Sequence, residues 1–418
     1  MTTLFRNVRI FDGSHAELSP PSQVLVRGST IARIAPTAEE AGATVVDGGG
    51  RVLMPGLIDA HWHAAFTTLP ATVALLADPG YLHVVAGQNA EATLLRGFTT
   101  VRDCGGPVFG LKRAIDEGIV RGPRIFPSGA FISQTGGHGD FRLPYEVPRG
   151  VAGWHSRSDR LGAAAIADGV VEVTRAVREQ LMLGASQIKV MAGGGVASSY
   201  DPIDVTQYTE AELRAAVEAA ENWGTYVLVH AYTPRAIREA IAAGVRCIEH
   251  GQLVDEPTVE LMADKGIWWC LQPFLDDEDA APLPSPQHRA KFLLVTDGTD
   301  RAYRLAKRHG VRLAWGTDTL FDARLAQRQG AQLAKMVRWF EPAEVLKMAT
   351  ADNAALLALS GERNPYPGRL GVVEEGALAD LLLVDGDPLA DIQLLADPAR
   401  NLAVIMKNGQ LVKNLLAG

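Results

Sequence analysis

The chain reads as an α/β protein: a closed (β/α)8 barrel of the TIM type, carrying a small β-sandwich built from both chain termini. Three observations predict this. Strand-like apolar runs alternate with amphipathic segments through the middle of the chain, the pattern of a parallel sheet. Eight such runs can be counted, which points to closure rather than an open sheet. The two ends have a different texture, short β-type runs separated by turn pairs, and they resemble each other more than the middle. The expected limits are 1–53 and 359–418 for the two parts of the sandwich and 54–358 for the barrel.

The N-terminal part holds Leu4–Phe11 before Asp12-Gly13, and Gln23–Val26 before Arg27-Gly28. The eight barrel strands are expected at 53–60, 98–103, 124–130, 186–191, 225–230, 246–250, 267–272 and 312–317. Helices lie between most of them. Thr209–Trp223 opens on Thr209-Glu210-Ala211-Glu212, a capping-box start, and stops at Gly224. Pro234–Ala243 stops at Gly244. Residues 131–162 carry Gly, Pro and polar side chains without periodicity. A connection this long after a strand is expected to overhang the pocket. In the C-terminal part Ala379–Val384 precedes Asp385-Gly386, and Asn408-Gly409 separates Ala403–Met406 from Gln410–Val412, a strong hairpin signal.

Composition narrows the function. The 418 residues are 47% hydrophobic and 21% charged, ordinary for a soluble globular protein. A net charge of −8 offers no basic footprint, so nucleic acid and anionic membrane are not expected partners. No stretch approaches the roughly 20 apolar residues that span a bilayer. The N-terminus lacks a basic region followed by an apolar one, so a cytoplasmic location is expected. Three widely spaced cysteines, Cys104, Cys247 and Cys270, form neither a disulfide framework nor a zinc knuckle. They read as small buried side chains.

The chemistry concentrates at strand ends. His61 and His63 stand at i and i+2 in one strand, so both imidazoles point to one face and can clamp a metal. His230 and His250 each close an apolar run, and Asp318 follows Ala314-Trp315-Gly316-Thr317. Singly, these residues also fit core or helix-capping roles. Together on strands of one barrel they converge on its C-terminal mouth. Lys189, within Gln187-Ile188-Lys189-Val190, is the odd member, because an ammonium repels cations. It fits a salt-bridged barrel lysine, or an amine that CO2 converts to a bridging carbamate.

Met54-Pro55-Gly56-Leu57-Ile58-Asp59-Ala60-His61-Trp62-His63 resembles the opening signature of the amidohydrolase superfamily, and Gly376-Ala377-Leu378-Ala379-Asp380-Leu381-Leu382-Leu383-Val384-Asp385 resembles its tail. Further segments resemble the metal-dependent Xaa-Pro dipeptidase (prolidase) and imidazolonepropionase-like group, which is related to ochratoxin-hydrolysing amidohydrolases. They are Gly97–Asp103, Ser133–Asp140, Gln187–Val196 and His230-Ala231-Tyr232-Thr233-Pro234. The resemblance covers essentially the whole chain. It implies two divalent metal ions, usually Zn2+: His61, His63 and Asp318 on the first, His230 and His250 on the second, and carbamylated Lys189 with a hydroxide bridging them. Relatives with one metal generally lack this lysine, so Lys189 argues against imidazolonepropionase itself.

The implied reaction is hydrolysis of the amide bond of Xaa-Pro dipeptides or N-acyl amino acids with a free carboxylate, with Asp318 as proton shuttle. Aromatic N-acyl amino acids of the ochratoxin type, in a carboxypeptidase-like reaction, are the first alternative; cyclic amides are the second. His138 and Tyr232 are the leading candidates for touching the substrate carbonyl or carboxylate. Arg142 and Arg149 fit either carboxylate recognition or a solvated surface. Trp154, His155 and Phe274 are candidates for an apolar wall. The resemblance also implies a homo-oligomer.

Overall fold

The computed structural model describes residues 2–416 except 143, 144, 148, 154, 282 and 284. Both ends of the chain enter one sheet. Its order is Gln410–Asn414, Leu402–Lys407, Leu381–Val384, Val52–Pro55, Thr2–Ile10, Ser22–Arg27 and Thr30–Ala35, with Thr44–Asp47 also paired to Thr2–Ile10. Asn408 and Gly409 join the last two strands with φ of 54° and 71°, the left-handed pair that a tight hairpin turn requires. Phe5, Val8, Val26, Leu53, Leu383 and Met406 form the core of this unit.

The strand expected over 53–60 divides at Gly56. Val52–Pro55 pairs with Leu381–Val384 in the terminal sheet, and Leu57–Trp62 begins the parallel strands. The division needs glycine, since a Cβ at position 56 would lie 2.0 Å from Thr99 Oγ1. Leu57–Trp62, Phe98–Asp103 and Arg124–Pro127 run side by side. Ile188–Met191, Val227–Ala231, Cys247–His250, Trp268–Cys270 and Arg312–Ala314 continue in sequence order within a second parallel sheet. Backbone bonds join the two groups at both margins. Ser186 N donates to Pro127 O at 2.8 Å, Ala60 N to Trp315 O at 3.1 Å and Asp318 N to His61 O at 2.8 Å. The architecture is mixed α/β of the TIM-barrel type. The parallel strands are buried along most of their length, as expected of strands covered on both faces.

Two expectations are corrected. The third strand stops at Pro127, turns through Gly129 (φ 74°), and resumes as Phe131–Ser133 against Ile188–Met191 and Ala164–Ile166. The 131–162 connection is not structureless either. It contains that strand and the short helices Arg149–Ala152 and Arg157–Leu161, the second opened by a Ser156–Asp159 capping box. Elsewhere Glu210–Glu221 is capped reciprocally by Thr209 and Glu212, and Pro234–Ala242 is capped by Thr233. All three cysteines are free and buried. Among the described residues no helix is long and apolar enough to cross a membrane.

Candidate active site

The C-terminal ends of the parallel strands open onto one cavity of about 600 Å3. His61, His63, His138, Lys189, His230, Tyr232, His250 and Asp318 all line it. Asp318 sits at the centre of the polar set. Its Oδ1 lies 3.3 Å from Nε2 of both His61 and His63, and its Oδ2 lies 3.9 Å from His250 Nδ1. The His230 and His250 rings are 4.5 Å apart, and those of His61 and His250 5.0 Å apart. Ligand atoms of His61, His250 and Asp318 fall within 4.8 Å of one another, a spacing one ion can bridge.

Local backbone geometry aims two of these groups. His250 (φ 71°), the last residue of its strand, and Asp318 (φ 48°), four residues beyond the strand end at Ala314, both occupy the left-handed region. Neither has the freedom of glycine, so the surrounding structure must hold them there. Asp318 is fixed by its N–H bond to His61 O, and the Trp269 indole donates to His250 O.

The ring nitrogens are sorted by their second partners. His63 Nδ1 donates to Gly105 O at 2.9 Å, His250 Nδ1 lies 2.8 Å from Gln272 Oε1, and His61 Nδ1 lies 2.6 Å from Glu249 Oε2. These three rings are left with Nε2 for another ligand. His230 is the reverse. Its Nε2 donates to Gly194 O at 3.0 Å, which leaves Nδ1. Such sorting is what metal-ligating imidazoles require, since an acceptor behind one nitrogen makes the other a lone-pair donor. Lys189 is buried on its strand and lines the cavity, and among the described residues its amine makes neither a hydrogen bond nor an ion pair. A buried, unpartnered amine beside four imidazoles and a carboxylate suits conversion to a carboxylate-bearing ligand. The donor set therefore fits divalent metal.

Several contributors carried no signal as strand-end ligands. Glu249 is completely buried behind His61 and accepts from Arg102 Nη2 at 2.8 and 2.9 Å and from Cys247 Sγ at 3.0 Å. Burial pushes this carboxyl up, but the Arg102 guanidinium, the His61 ring and Lys189 together outweigh it and hold it well below the usual range. Burial also pulls His230 well below the ordinary imidazole value, with the neighbouring ring of His138 adding to it. Asp318 is half-buried, with 14% of its side chain exposed, and although desolvation pushes its carboxyl up, His61 and His63 hold it well below the usual carboxylate range. Asp59 accepts from Thr317 Oγ1 at 2.7 Å, from His61 N at 3.0 Å and from Gln329 Nε2 at 2.8 Å, tying the first strand to the last. Asp103 accepts from Ala64 N and Gly105 N and so anchors the chain around His63.

The walls are apolar and aromatic. Phe66, Phe131, Phe141, Met191, Phe274 and Phe321 all reach the cavity. Tyr232 stacks on His250 at 5.2 Å, and His138 stacks on His230 at 4.1 Å. The remaining predicted wall and lid residues do not meet here. Arg142 pairs with Asp140, and Arg149 bonds Ile166 O at 2.7 Å and pairs with Glu172, so neither lines the cavity. His155 lines a separate surface cleft. Trp154 lies outside the described residues. The overhang at this mouth is thus 131–141, while the following residues pack beside it.

Comparison with known proteins agrees with this layout. The amidohydrolase family model matches residues 52–412. Ochratoxinase of Aspergillus niger is 35% identical over 374 residues, covering 87% of this chain and 76% of that protein. A solved prolidase, complexed with N-methylphosphonate-L-proline, has a TM-score of 0.91 and 35% identity over 99% of this chain and 100% of its own. A Xaa-Pro dipeptidase with methionine bound in its active site has a TM-score of 0.85 and 29% identity, again over 99% and 100%.

Proposed function

The chain belongs to the amidohydrolase family, hydrolases of amide and peptide bonds, and we propose that it is a binuclear metal-dependent hydrolase of N-acyl amino acids bearing a free carboxylate, Xaa-Pro dipeptides included. The observation that carries this reading is the convergence of four pre-sorted imidazoles, Asp318 and the unpartnered Lys189 on one cavity. In this reading the parallel strands close into an eight-stranded ring spanning 54–358. Residues 1–53 and 359–418 form the accompanying sandwich.

His61, His63 and Asp318 would hold one ion, His230 and His250 the second, and carbamylated Lys189 both. Zinc suits a nitrogen-rich set of this kind. Bound divalent ions lower the pKa of water to near 7 and polarise a scissile carbonyl. The protein's own groups supply the rest. Asp318 is ionised and adjacent to the histidines, so it can take the proton of the attacking water and deliver it to the leaving nitrogen. Without that delivery an amide nitrogen would leave as an anion, a very poor leaving group. The phenol of Tyr232 and the ring of His138 face the same space and are placed to hold the substrate carbonyl and carboxylate.

The cavity size and its phenylalanine-rich wall favour a bulky apolar acyl group over a small one. This supports a second reading, the aromatic N-acyl amino acids of the ochratoxin type. Rates on metal-replete enzyme decide between them. We expect kcat/KM for N-aroyl-phenylalanine substrates to exceed that for Gly-Pro, with bulky Xaa-Pro dipeptides between them. No turnover of either class would refute the assignment.

A further inference from the structure

The apolar side chains that line the cavity fall into two separately packed groups. Phe66, Phe131, Phe141 and Phe321 belong to one. Val196, Phe274 and Val295 belong to the other, together with Tyr232. The groups flank different histidines. Phe66 N donates to His63 O at 3.2 Å, and His63 Nδ1 donates to the carbonyl of Gly105, a residue that lies against the Phe131 ring. On the other side the Tyr232 ring stacks on His250 at 5.2 Å and the Phe274 ring at 6.3 Å.

The backbone is shaped around the first group. A Cβ on Gly105 would lie 2.3 Å from Phe131 Cδ1, one on Gly106 2.9 Å from Phe66 Cε2, and one on Gly139 3.1 Å from Phe131 Cδ2. Three glycines thus make room for two rings. Phe321 takes a φ of 58°, a left-handed conformation that is costly for a bulky side chain. Two backbone bonds staple it there: Phe321 N donates to Phe66 O at 2.7 Å and Asp322 N to Thr67 O at 2.9 Å. The staple joins the turn after His63 to the turn after Asp318. The Phe66 and Phe321 rings are tilted by 48° with centroids 6.1 Å apart, and Phe141 meets Phe131 edge-on at 5.7 Å. Phe141 and Phe321 stay half-buried while lining the cavity. Rings that line a cavity favour a flat aromatic ligand, because aromatic pairs gain beyond their buried area.

The two groups divide the substrate between them. A scissile amide joins an acyl group to a leaving amino acid, and the two extend in opposite directions from the bond. The carboxylate belongs to the leaving amino acid, and Tyr232 and His138 stand on the His230–His250 side. We propose that the phenylalanine chamber beside His63 is the acyl subsite, taking a flat aromatic acyl group, with Phe321 as its specificity-determining residue. Val196, Phe274 and Val295 then receive an apolar side chain on the leaving amino acid. The assignment rests on the hydrolase reading, with Tyr232 and His138 against the leaving amino acid.

Two readouts test it on the zinc-replete protein. The first is selectivity. In Phe321→Ala, kcat/KM for N-(2-naphthoyl)-phenylalanine relative to N-acetyl-phenylalanine should fall about tenfold. The ratio of N-(2-naphthoyl)-phenylalanine to N-(2-naphthoyl)-glycine should stay within about twofold of wild type. A fall in the second ratio instead would put the leaving amino acid in the chamber, and equal losses on all the substrates would show a merely structural turn; either overturns the proposal. The second is binding of 2-naphthoate, the product-like acid, by calorimetry. Its Kd should rise about tenfold in Phe321→Ala and less in Val295→Ala. The reverse order, or no saturable binding to the wild-type protein, overturns the acyl assignment. This arm needs no turnover. A protein that binds naphthoate in the expected order and cleaves no N-acyl amino acid refutes the hydrolase reading, not the aromatic chamber. Where Phe321→Ala fails to fold, Phe321→Leu, which drops the ring and keeps an apolar side chain, takes its place in both arms.

Discussion

Replacing Glu249 by glutamine should damage both the fold and the metal site, by separable amounts. Both carboxylate oxygens are engaged: Oε2 lies 2.6 Å from His61 Nδ1, and Oε1 accepts from Arg102 Nη2 at 2.8 Å and Cys247 Sγ at 3.0 Å. An amide can present an oxygen to only one side, so its nitrogen would face another donor. Arg102 would remain fully buried without its counter-charge. Breaking a buried pair in this way costs about 3–5 kcal/mol. Loss of the acceptor behind a ligating imidazole weakens metal binding by roughly 10–100-fold. The pH dependence separates charge from shape. The folded-state pKa of Glu249 lies below its unfolded value, so the pair's contribution is complete above the ordinary carboxylate pKa of 4.5. It is lost only as pH falls through the folded value in strong acid. The gap between wild type and Glu249→Gln should therefore be flat from pH 6 to 9. Urea unfolding of the metal-free proteins measures the first term, and competition with a chelator measures the second. A variant within about 0.5 kcal/mol of wild type, the range of an ordinary surface change, and with unaltered metal affinity, would show that Glu249 does not hold His61.

Other outcomes follow from the same geometry. Lys189→Ala should lose most of one metal ion and most activity by metal analysis and rate assay; a variant that keeps both ions shows that the lysine does not bridge. Asp318→Asn should lower kcat by about 100-fold or more, the range for a lost general acid–base, and an unchanged kcat would remove Asp318 from proton transfer. Far from the site, Lys407 donates to Gly122 O at 2.8 Å and is pulled down to about 8 by burial, with Asp380 partly opposing. Between pH 8 and 10.5 the unfolded chain holds this proton and the folded chain does not, so stability should rise with pH there. Lys407→Met should flatten that rise in urea unfolding, and an identical slope in both proteins would contradict the shift.

The legible and illegible parts of the site differ in what they depend on. His61 and His63 could be read because two groups on one strand at i and i+2 need no knowledge of any other strand. His230, His250, Lys189 and Asp318 followed once the parallel order was assumed, since that order carries every strand end to one mouth. Glu249 and Arg102 escaped because each is meaningful only through the other, across 147 positions of sequence. Even so, each left a trace: a charge inside a run that is otherwise buried on both faces, in Cys247-Ile248-Glu249-His250 and in Thr99-Thr100-Val101-Arg102-Asp103. A buried charge is costly without a counter-charge, so opposite charges inside two strands of one barrel are candidates to meet. The 131–162 segment left no comparable trace. Its order comes from distant partners, Gln207 and Ser198 on His138 and Glu172 on Arg149, and no periodicity encodes a bond to a residue 60 or 69 positions away. Gly193-Gly194-Gly195 was the visible half of that arrangement. Its two clashing positions are set by Pro202 and the His138 ring, so a run that suggests flexibility in the sequence marks close approach in the fold. Strand-end residues can thus be placed at one mouth from local pattern, whereas the cavity wall around His138 is built from contacts that exist only after the chain has closed.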